Sequence, residues 1–375
     1  MSGDNGSSAV HILYVGHLTP GGTCLQRQRA FEDLGCRLTL VDLASPAGVA
    51  RERRLWERVR RKLLGPRDWT GANRQIRDWV RRSRFDALWI DRGLQITAAT
   101  LHAVKLAQPE CRIIGYSPDD MYARHNQSPN FRRHLPLCDI FFTTKSYGVA
   151  ELKALGCPDV GFLDNAFDPY THRPLPVSAE ERQRYGGPVG FVGTWEPARA
   201  HAMYQLAQAG IPVRIWGNMW ERCRTRHPNL TIEGRALYGD DYARALNAFD
   251  INLCFLRKQN RDLQTTRSVE IPACGAFMLA ERTAEHEALF AAGSEAEFFD
   301  SDDELLAKVR HYLAHPAQRR RIAAAGRERC LRDGYRYQDR LAAMLDRAGI
   351  NWRRGKDGEH RVTDRQGSES CVSLL

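Results

Sequence analysis

Short apolar, β-branched runs recur through the first half of the chain, separated by longer stretches with helical spacing of their apolar positions. That alternation predicts a parallel sheet wrapped by helices. Strands are expected at 10–16, 37–42, 86–91, 112–116, 139–143 and 160–163, and helices at 25–34, 51–64, 73–83, 97–107 and 147–155. After Leu163 the rhythm breaks into the proline-rich 168–176, the polar 178–185 and Gly186-Gly187-Pro188, which places the interdomain linker there. A second alternation then predicts strands at 189–192, 213–216, 230–232, 251–254 and 276–279, with helices at 199–209, 240–248, 266–274 and 285–290. Three helices close the pattern, 303–314, 317–330 and 337–348, with His315-Pro316 as the first break. Past Ile350 the chain turns polar and irregular, as disordered tails do.

A chain of 375 residues suits two α/β domains of roughly 150 residues each. They are expected at 9–175 and 187–335, with a helix at 336–350 packing back on the first domain and a disordered tail at 351–375. With 43% hydrophobic and 27% charged residues the chain reads as globular. No apolar run approaches the roughly 20 residues of a membrane span. The polar start before the first strand is unlike a signal peptide, so a cytoplasmic protein is expected. The 10 cysteines include no C-x-x-C pair, which argues against a zinc knuckle or a redox pair and for buried, reduced thiols. Cys371 lies one position too far from the end for a prenylation box. The formal charge of +10 suits an anionic partner: a nucleotide diphosphate, an acidic membrane face or a nucleic acid.

Candidate chemistry begins in the first strand-to-helix turn, Gly16-His17-Leu18-Thr19-Pro20-Gly21-Gly22. Small residues there let helix N–H groups approach an anion, and the absence of G-x-G-x-x-G disfavours a nicotinamide cofactor. A tight turn with no ligand fits those glycines equally well. His17 could serve as a base in the crevice, though a lone histidine is more often structural. Asp119 and Asp120 follow another strand and could supply a general base or hold a hydroxyl. On residue type alone Ser117-Pro118-Asp119-Asp120 reads better as a loop start and cap. Asp91-Arg92 reads as an ion pair supporting its loop, with His125 and Asn126 close by in sequence.

The densest signal is the basic loop from Arg257, through Arg261, Asp262, Thr265, Thr266 and Arg267, to Glu270 and Ala273-Cys274-Gly275. It enters a helix whose free N–H groups could hold a diphosphate, with Thr265 or Thr266 as cap. A carboxylate beside a phosphate site suits sugar or ribose hydroxyls. Asp262 fits a solvated loop about as well. Glu270 fits that reading poorly, because Val269, Ile271 and Ala273 predict a buried helix.

Asp262 and Glu270, separated by seven residues and leading into Ala-Cys-Gly, resemble the donor signature of GT-B glycosyltransferases. Arg267 to Gly275, then Leu279 to His286 and Glu297-Phe298-Phe299-Asp300, resemble the CgeB-type (spore-maturation-protein-like) branch of group 1. Phe191-Val192-Gly193-Thr194-Trp195-Glu196-Pro197-Ala198-Arg199 and Thr143-Thr144-Lys145-Ser146-Tyr147 continue the likeness, which spans about residues 11–340. The resemblance implies two Rossmann-like domains facing across a cleft, with C-terminal helices. It implies a nucleotide-sugar donor on the C-terminal domain, a hydroxyl acceptor on the N-terminal one, and no metal or cofactor. By the same resemblance Glu270 takes the ribose, Asp262 meets the donor sugar, Arg199 and Gly193 face the diphosphate, and Gly16, Gly21 and Gly22 face the acceptor. His17, Asp119 or Asp120 would accept its proton. The family's arginine after Gly193 is Thr194 here, and Arg257, Arg261 or Arg267 could replace its charge.

In the stretch 51–64, Leu55, Val59 and Leu63 recur at helical spacing and leave the arginines largely on other faces. A surface helix docked on the sheet is the first reading. Contact with an anionic bilayer carrying a lipid-linked acceptor, at the inner membrane face, is the second. Nucleic acid is not expected, since no recognised module accompanies the charge. The rivals to sugar transfer are a sugar-nucleotide epimerase of the same fold and a non-catalytic basic adaptor on membrane or nucleic acid.

Overall fold

The structure is a computed structural model that describes residues 9–46, 48 and 55–355. The chain divides into two compact units, one ending at Leu163 and resuming at Tyr337, the other Asp164–Arg336. Each is built on a six-stranded, all-parallel sheet.

The first sheet comprises β1 (His11–Gly16), β2 (Arg37–Asp42), β3 (Ala87–Asp91), β4 (Arg112–Ser117), β5 (Ile140–Thr143) and β6 (Val160–Phe162), in the order β2-β1-β3-β4-β5-β6. Every residue of β1 and β3 is buried, because helices cover both faces of a parallel sheet, whereas the edge strand β2 buries only Val41. Trp89 stacks with Tyr116 and Phe142 and meets the edge of Phe31 on one face. Leu88, Ile90 and Ile113 fill the other face, with Leu101 and Val104. The helix Tyr337–Arg347 belongs to this unit, packing on the helix Thr23–Asp33 and burying Leu341, Met344 and Leu345. Burying each of those side chains contributes roughly 1.5–3 kcal/mol.

The second sheet comprises β7 (Gly187–Val192), β8 (Val213–Trp216), β9 (Leu230–Ile232), β10 (Phe249–Cys254), β11 (Met278–Glu281) and β12 (Glu297–Phe299), in the order β12-β11-β10-β7-β8-β9. Strand order reverses between β1 and β3 in the first sheet and between β7 and β10 in the second. Ligands of such sheets bind beyond the carboxyl ends of the strands at that reversal.

Several details depart from the sequence expectation. The units divide at Leu163/Asp164, ahead of the proline-rich stretch, because Asn165 donates from its backbone N–H and Nδ2 to Gln264 Oε1 within the second unit. The polar stretch 178–185 contains the helix Ala179–Tyr185, started by a capping box between Ser178 and Glu181, and Gly187-Pro188 already belongs to β7. A helix at Pro129–His134, capped by Ser128, and the strand β12 were not expected at all. The tail begins with a 3-10 turn, Trp352–Gly355, in which Arg353 grips both carboxylate oxygens of Asp346. The rest of that tail, and the start of the helix expected at 51–64, lie outside the described residues; the helix itself is seen as Leu55–Leu64. The nine described cysteines are free and all but Cys24 are buried. Among the described residues no helix is long and apolar enough to cross a membrane.

Candidate functional site

In the second unit the ring of Phe191, near the carboxyl end of β7, carries two guanidiniums. Arg199, from the helix Pro197–Gln208, lies 5.6 Å from the ring centroid, and Arg267, from the helix Arg267–Ala273 after β10, lies 5.9 Å from it. The two helices enter from opposite sides of the β7/β10 reversal. Gly193 makes room for the ring, since a Cβ there would stand 2.6 Å from it. Arg199 is 3% exposed and donates from Nη1 to the Thr194 carbonyl at 2.9 Å. Its Nε and Nη2 have no hydrogen-bond partner among the described residues, nor does Nε of Arg267. Glu196 Oε1 stands 3.8 Å from Arg199 Nη2, beyond hydrogen-bond reach. Burial, and then repulsion from Arg267, pull the Arg199 pKa down to about 10. Two cations held together with unused donors form a seat for an anion.

One helical turn after Arg267, on the same face, Glu270 is 6% exposed. Tyr242 donates its hydroxyl to Glu270 Oε2 at 2.7 Å. His172 Nδ1 accepts from the backbone N–H of Asp168, which leaves Nε2 as the N–H, 3.7 Å from Glu270 Oε1. The start of this helix is held from behind. Ser268 Oγ accepts from Thr265 N–H at 2.9 Å and bonds His286 Nε2 at 2.7 Å, while His286 Nδ1 faces the Glu281 carbonyl. Burial holds His286 below the ordinary histidine pKa, so the ring is neutral at pH 7 and Nε2 accepts from Ser268. Thr265 Oγ1 accepts from Arg267 N–H, whereas Thr266 makes no side-chain cap.

Of the three arginines proposed to replace the charge at Thr194, only Arg267 joins Arg199. Arg257 turns to Glu196, 3.3 Å away, and Arg261 is exposed in a left-handed conformation beside Asp262. A groove of about 250 Å³ next to Arg199 is lined by mixed charges, including Glu196, Lys258, Glu281 and Asp302. Phe191, Tyr242 and His172 escaped the sequence reading. Phe191 registered as a strand residue and as part of the 191–199 likeness but not as a ring under two cations, and the other two sit far from Glu270 in sequence with no motif to join them.

In the first unit the reversal between β1 and β3 is closed from beneath by Asp91, which pairs with Arg27 rather than Arg92. The strand ends at Asp91, which turns inward, and Arg92, in a left-handed bend with a φ of 64°, turns outward to Asp119, 2.9 Å away. Asp120 is 1% exposed, and its Oδ1 accepts from the N–H groups of Tyr122 and Ala123, as a turn cap does. His17 is exposed and lines a cavity. Gly16 lies against Asp91, where a Cβ would come within 3.3 Å of the Asp91 Cβ. Gly21 takes a left-handed φ of 75°, and Gly22 closes the turn onto the Thr19 carbonyl. Among the described residues no group of three or more His, Cys, Asp or Glu is placed to hold a metal ion.

Residues 199–346 match a family model described as glycosyl transferase-like. This glycosyl transferase-like segment starts at Arg199 and takes in Arg267 and Glu270; Gly193 and the first-unit candidates lie outside it. Among solved structures, Anabaena HepE in complex with UDP and glucose is 14% identical over 90% of this chain and 99% of its own, with a TM-score of 0.59. Sucrose-phosphate synthase from Thermosynechococcus elongatus is 11% identical over 90% and 98%, at 0.61. The N-terminal domain of trehalose-6-phosphate phosphatase from Candida albicans is 10% identical over 93% and 99%, at 0.62. At such identities the likeness is one of fold, GT-B with two Rossmann-like domains. No curated protein sequence matches the chain.

Proposed function

We propose that this protein is a glycosyltransferase of the CgeB-like branch, moving a sugar from a nucleoside diphosphate donor to an acceptor hydroxyl. The observation that carries this reading is the pair Arg199 and Arg267 over Phe191, with buried N–H groups unused, at the reversal of the second sheet. The two guanidiniums hold the diphosphate, and Glu270, one turn further on, takes the ribose hydroxyls. HepE has been seen with UDP and with UDP-glucose, which makes uridine donors the first to test.

In the reaction the acceptor oxygen attacks the anomeric carbon as the bond from that carbon to the diphosphate oxygen breaks. The acceptor's proton passes to His17 if the reaction inverts, and the nucleoside diphosphate leaves with the electron pair. Charge building on the leaving oxygens is met by Arg199 and Arg267, whose positions are fixed before the reaction begins. Arginine supplies here what a metal supplies elsewhere, so activity is expected to survive excess EDTA. The helix Leu55–Leu64 leaves Trp56 and Val59 exposed beside Arg60 and Arg61, side chains suited to an anionic headgroup layer. Peripheral contact at the inner face of a membrane is part of the proposal, and co-sedimentation with anionic vesicles tests it.

The main test incubates purified protein with a set of nucleotide sugars, with and without polyol acceptors, and reads products by mass spectrometry. Glycosylated acceptor supports the proposal. Conversion of donor to an isomer without acceptor would mark an epimerase, and failure of every nucleotide sugar to bind would mark a basic adaptor.

A further inference from the structure

At the carboxyl edge of the first sheet, beside the β1/β3 reversal, lies a cavity of about 600 Å³. Loops after β1, β2 and β3 wall it, and the chain following the helix Leu55–Leu64 closes one side. Its surface is largely apolar, from Leu43, Pro46, Trp69 and Leu94 among others. The charged side chains that line it are all basic. Arg61, Arg67 and Arg92 reach it, His17 joins them, and no carboxylate lines it among the described residues.

Two of these arginines are held in place. The Arg67 guanidinium lies 5.3 Å from the Trp69 ring centroid and 3.7 Å from Glu57. Gly48 packs so closely on Trp69 that a Cβ there would stand 2.6 Å from the ring, which fixes the indole as a wall. Arg92 adopts a left-handed φ of 64°, a conformation that is strained in a non-glycine residue. Its Nη1 is tied to Asp119, while its buried Nε has no hydrogen-bond partner among the described residues. The groove beside Arg199 has a different character, since acids and bases alternate along it. A neutral polyol does not call for guanidiniums, whereas a phosphate or carboxylate is matched by them in charge and in forked geometry.

We infer that the acceptor is an anion, seated in this cavity through a phosphate or carboxylate group, with the hydroxyl to be glycosylated turned toward His17. The inference rests on the acceptor role assigned to the first unit under the proposed function.

The test is calorimetric titration of the protein, without donor, against glucose 6-phosphate, glucuronate, glucose and a detergent-dispersed polyprenyl phosphate. Wild type, Arg67→Gln, Arg92→Lys and Arg199→Gln are compared, with circular dichroism to show that each is folded. The anionic sugars or the lipid phosphate are expected to bind at least 10-fold more tightly than glucose. Arg67→Gln and Arg92→Lys should each weaken that binding several-fold, and Arg199→Gln should leave it unchanged. Tighter binding of the sugar anions identifies a soluble acceptor, and tighter binding of the polyprenyl phosphate a lipid-linked one. Equal binding of glucose, indifference to Arg67→Gln, or loss in Arg199→Gln alone would each overturn the inference. A parallel titration with UDP separates the two ideas: UDP silent while the sugar anion binds defeats the transferase reading and leaves the anion site standing.

Discussion

Arg27 and Arg199 hold comparable places in two sheets of the same kind, each on the helix that follows the strand beside the reversal of order. Both are buried, at 2% and 3% exposure. Arg27 donates from Nε to Asp91 Oδ2 at 2.7 Å, Tyr14 donates to the same oxygen, and the guanidinium lies 4.7 Å from the Tyr116 ring centroid. Burial alone would lower its pKa, but Asp91, together with Tyr116, Tyr337 and Cys24, outweighs burial and holds it well above the ordinary arginine value. Arg199 has one backbone carbonyl, a glutamate out of hydrogen-bond reach and a second arginine beside it. A buried charge left unpaired costs several kcal/mol. The first unit meets that cost with its own carboxylate, and in the second no carboxylate among the described residues bonds the Arg199 guanidinium. In one fold, then, two buried cations differ in their partners, and under the proposed function that difference separates a structural charge from a ligand-binding one.

The sharpest way to break this comparison is to remove partners. Asp91→Ala leaves Arg27 buried and unpaired and should cost about 3–5 kcal/mol of stability, whereas Arg199→Leu should be neutral or stabilising. Urea unfolding of both variants decides it, and equal losses would show that the two arginines are not different in kind.

Acidification gives the next largest effect, of about 3 kcal/mol at most. His134 in the first unit is wholly buried, with Nδ1 on the Ile96 carbonyl, and burial takes its pKa from 6.5 to about 4. The unfolded chain binds a proton at this residue near pH 6.5 and the folded chain does not until about pH 4. Its contribution to stability is therefore complete above pH 6.5, is lost as pH falls toward 4, and changes no further below that. His134→Gln should flatten the stability profile across that window; identical slopes in variant and wild type would refute the assignment.

Arg199→Gln should weaken UDP-sugar binding by about 10–100-fold, the worth of one charge-assisted hydrogen bond or two. UDP at 100 times its Kd should stabilise the wild type by about 2.7 kcal/mol and the variant, at the same concentration, far less. Thermal unfolding with and without UDP measures both. A variant that keeps its response would make Arg199 a structural cation like Arg27.

What could be read without coordinates follows the physics of each element. β1, β3, β7 and β10 were legible because strands covered on both faces become short, mostly apolar runs. Pro129–His134 and Ala179–Tyr185 were not, because at six and seven residues they are defined by the Ser128 and Ser178 caps rather than by a period. Glu270 was legible as a buried acid from its apolar neighbours. The company kept by Arg199 was not, since an aromatic ring on β7 joins it to an arginine of a distant helix, and ring contacts leave no trace in spacing. Asp91-Arg92 misled for the opposite reason: the strand ends between them, and the left-handed backbone at Arg92 parts two side chains adjacent in sequence.

The smallest predicted effect probes the carboxylate rather than the cations. Tyr242 is half-buried, and desolvation of its hydroxyl, followed by the charge of Glu270, raises its pKa well above 10, so the hydroxyl stays protonated and keeps donating to Oε2 throughout the physiological range. Tyr242→Phe removes that donor without changing the ring and leaves the His172 N–H beside Glu270. If Glu270 grips the ribose, losing one hydrogen bond that orients its carboxylate should cost about 1 kcal/mol, or roughly 5-fold, in donor affinity. Ground-state binding carries that loss, so KM for the donor should rise while kcat holds, and to the same degree at pH 6.5 and pH 8.5. A fall in kcat with KM intact would place Glu270 at the reacting centre instead. No change in either would mean that the carboxylate is held by its neighbours for the fold alone, as Asp91 is in the first unit.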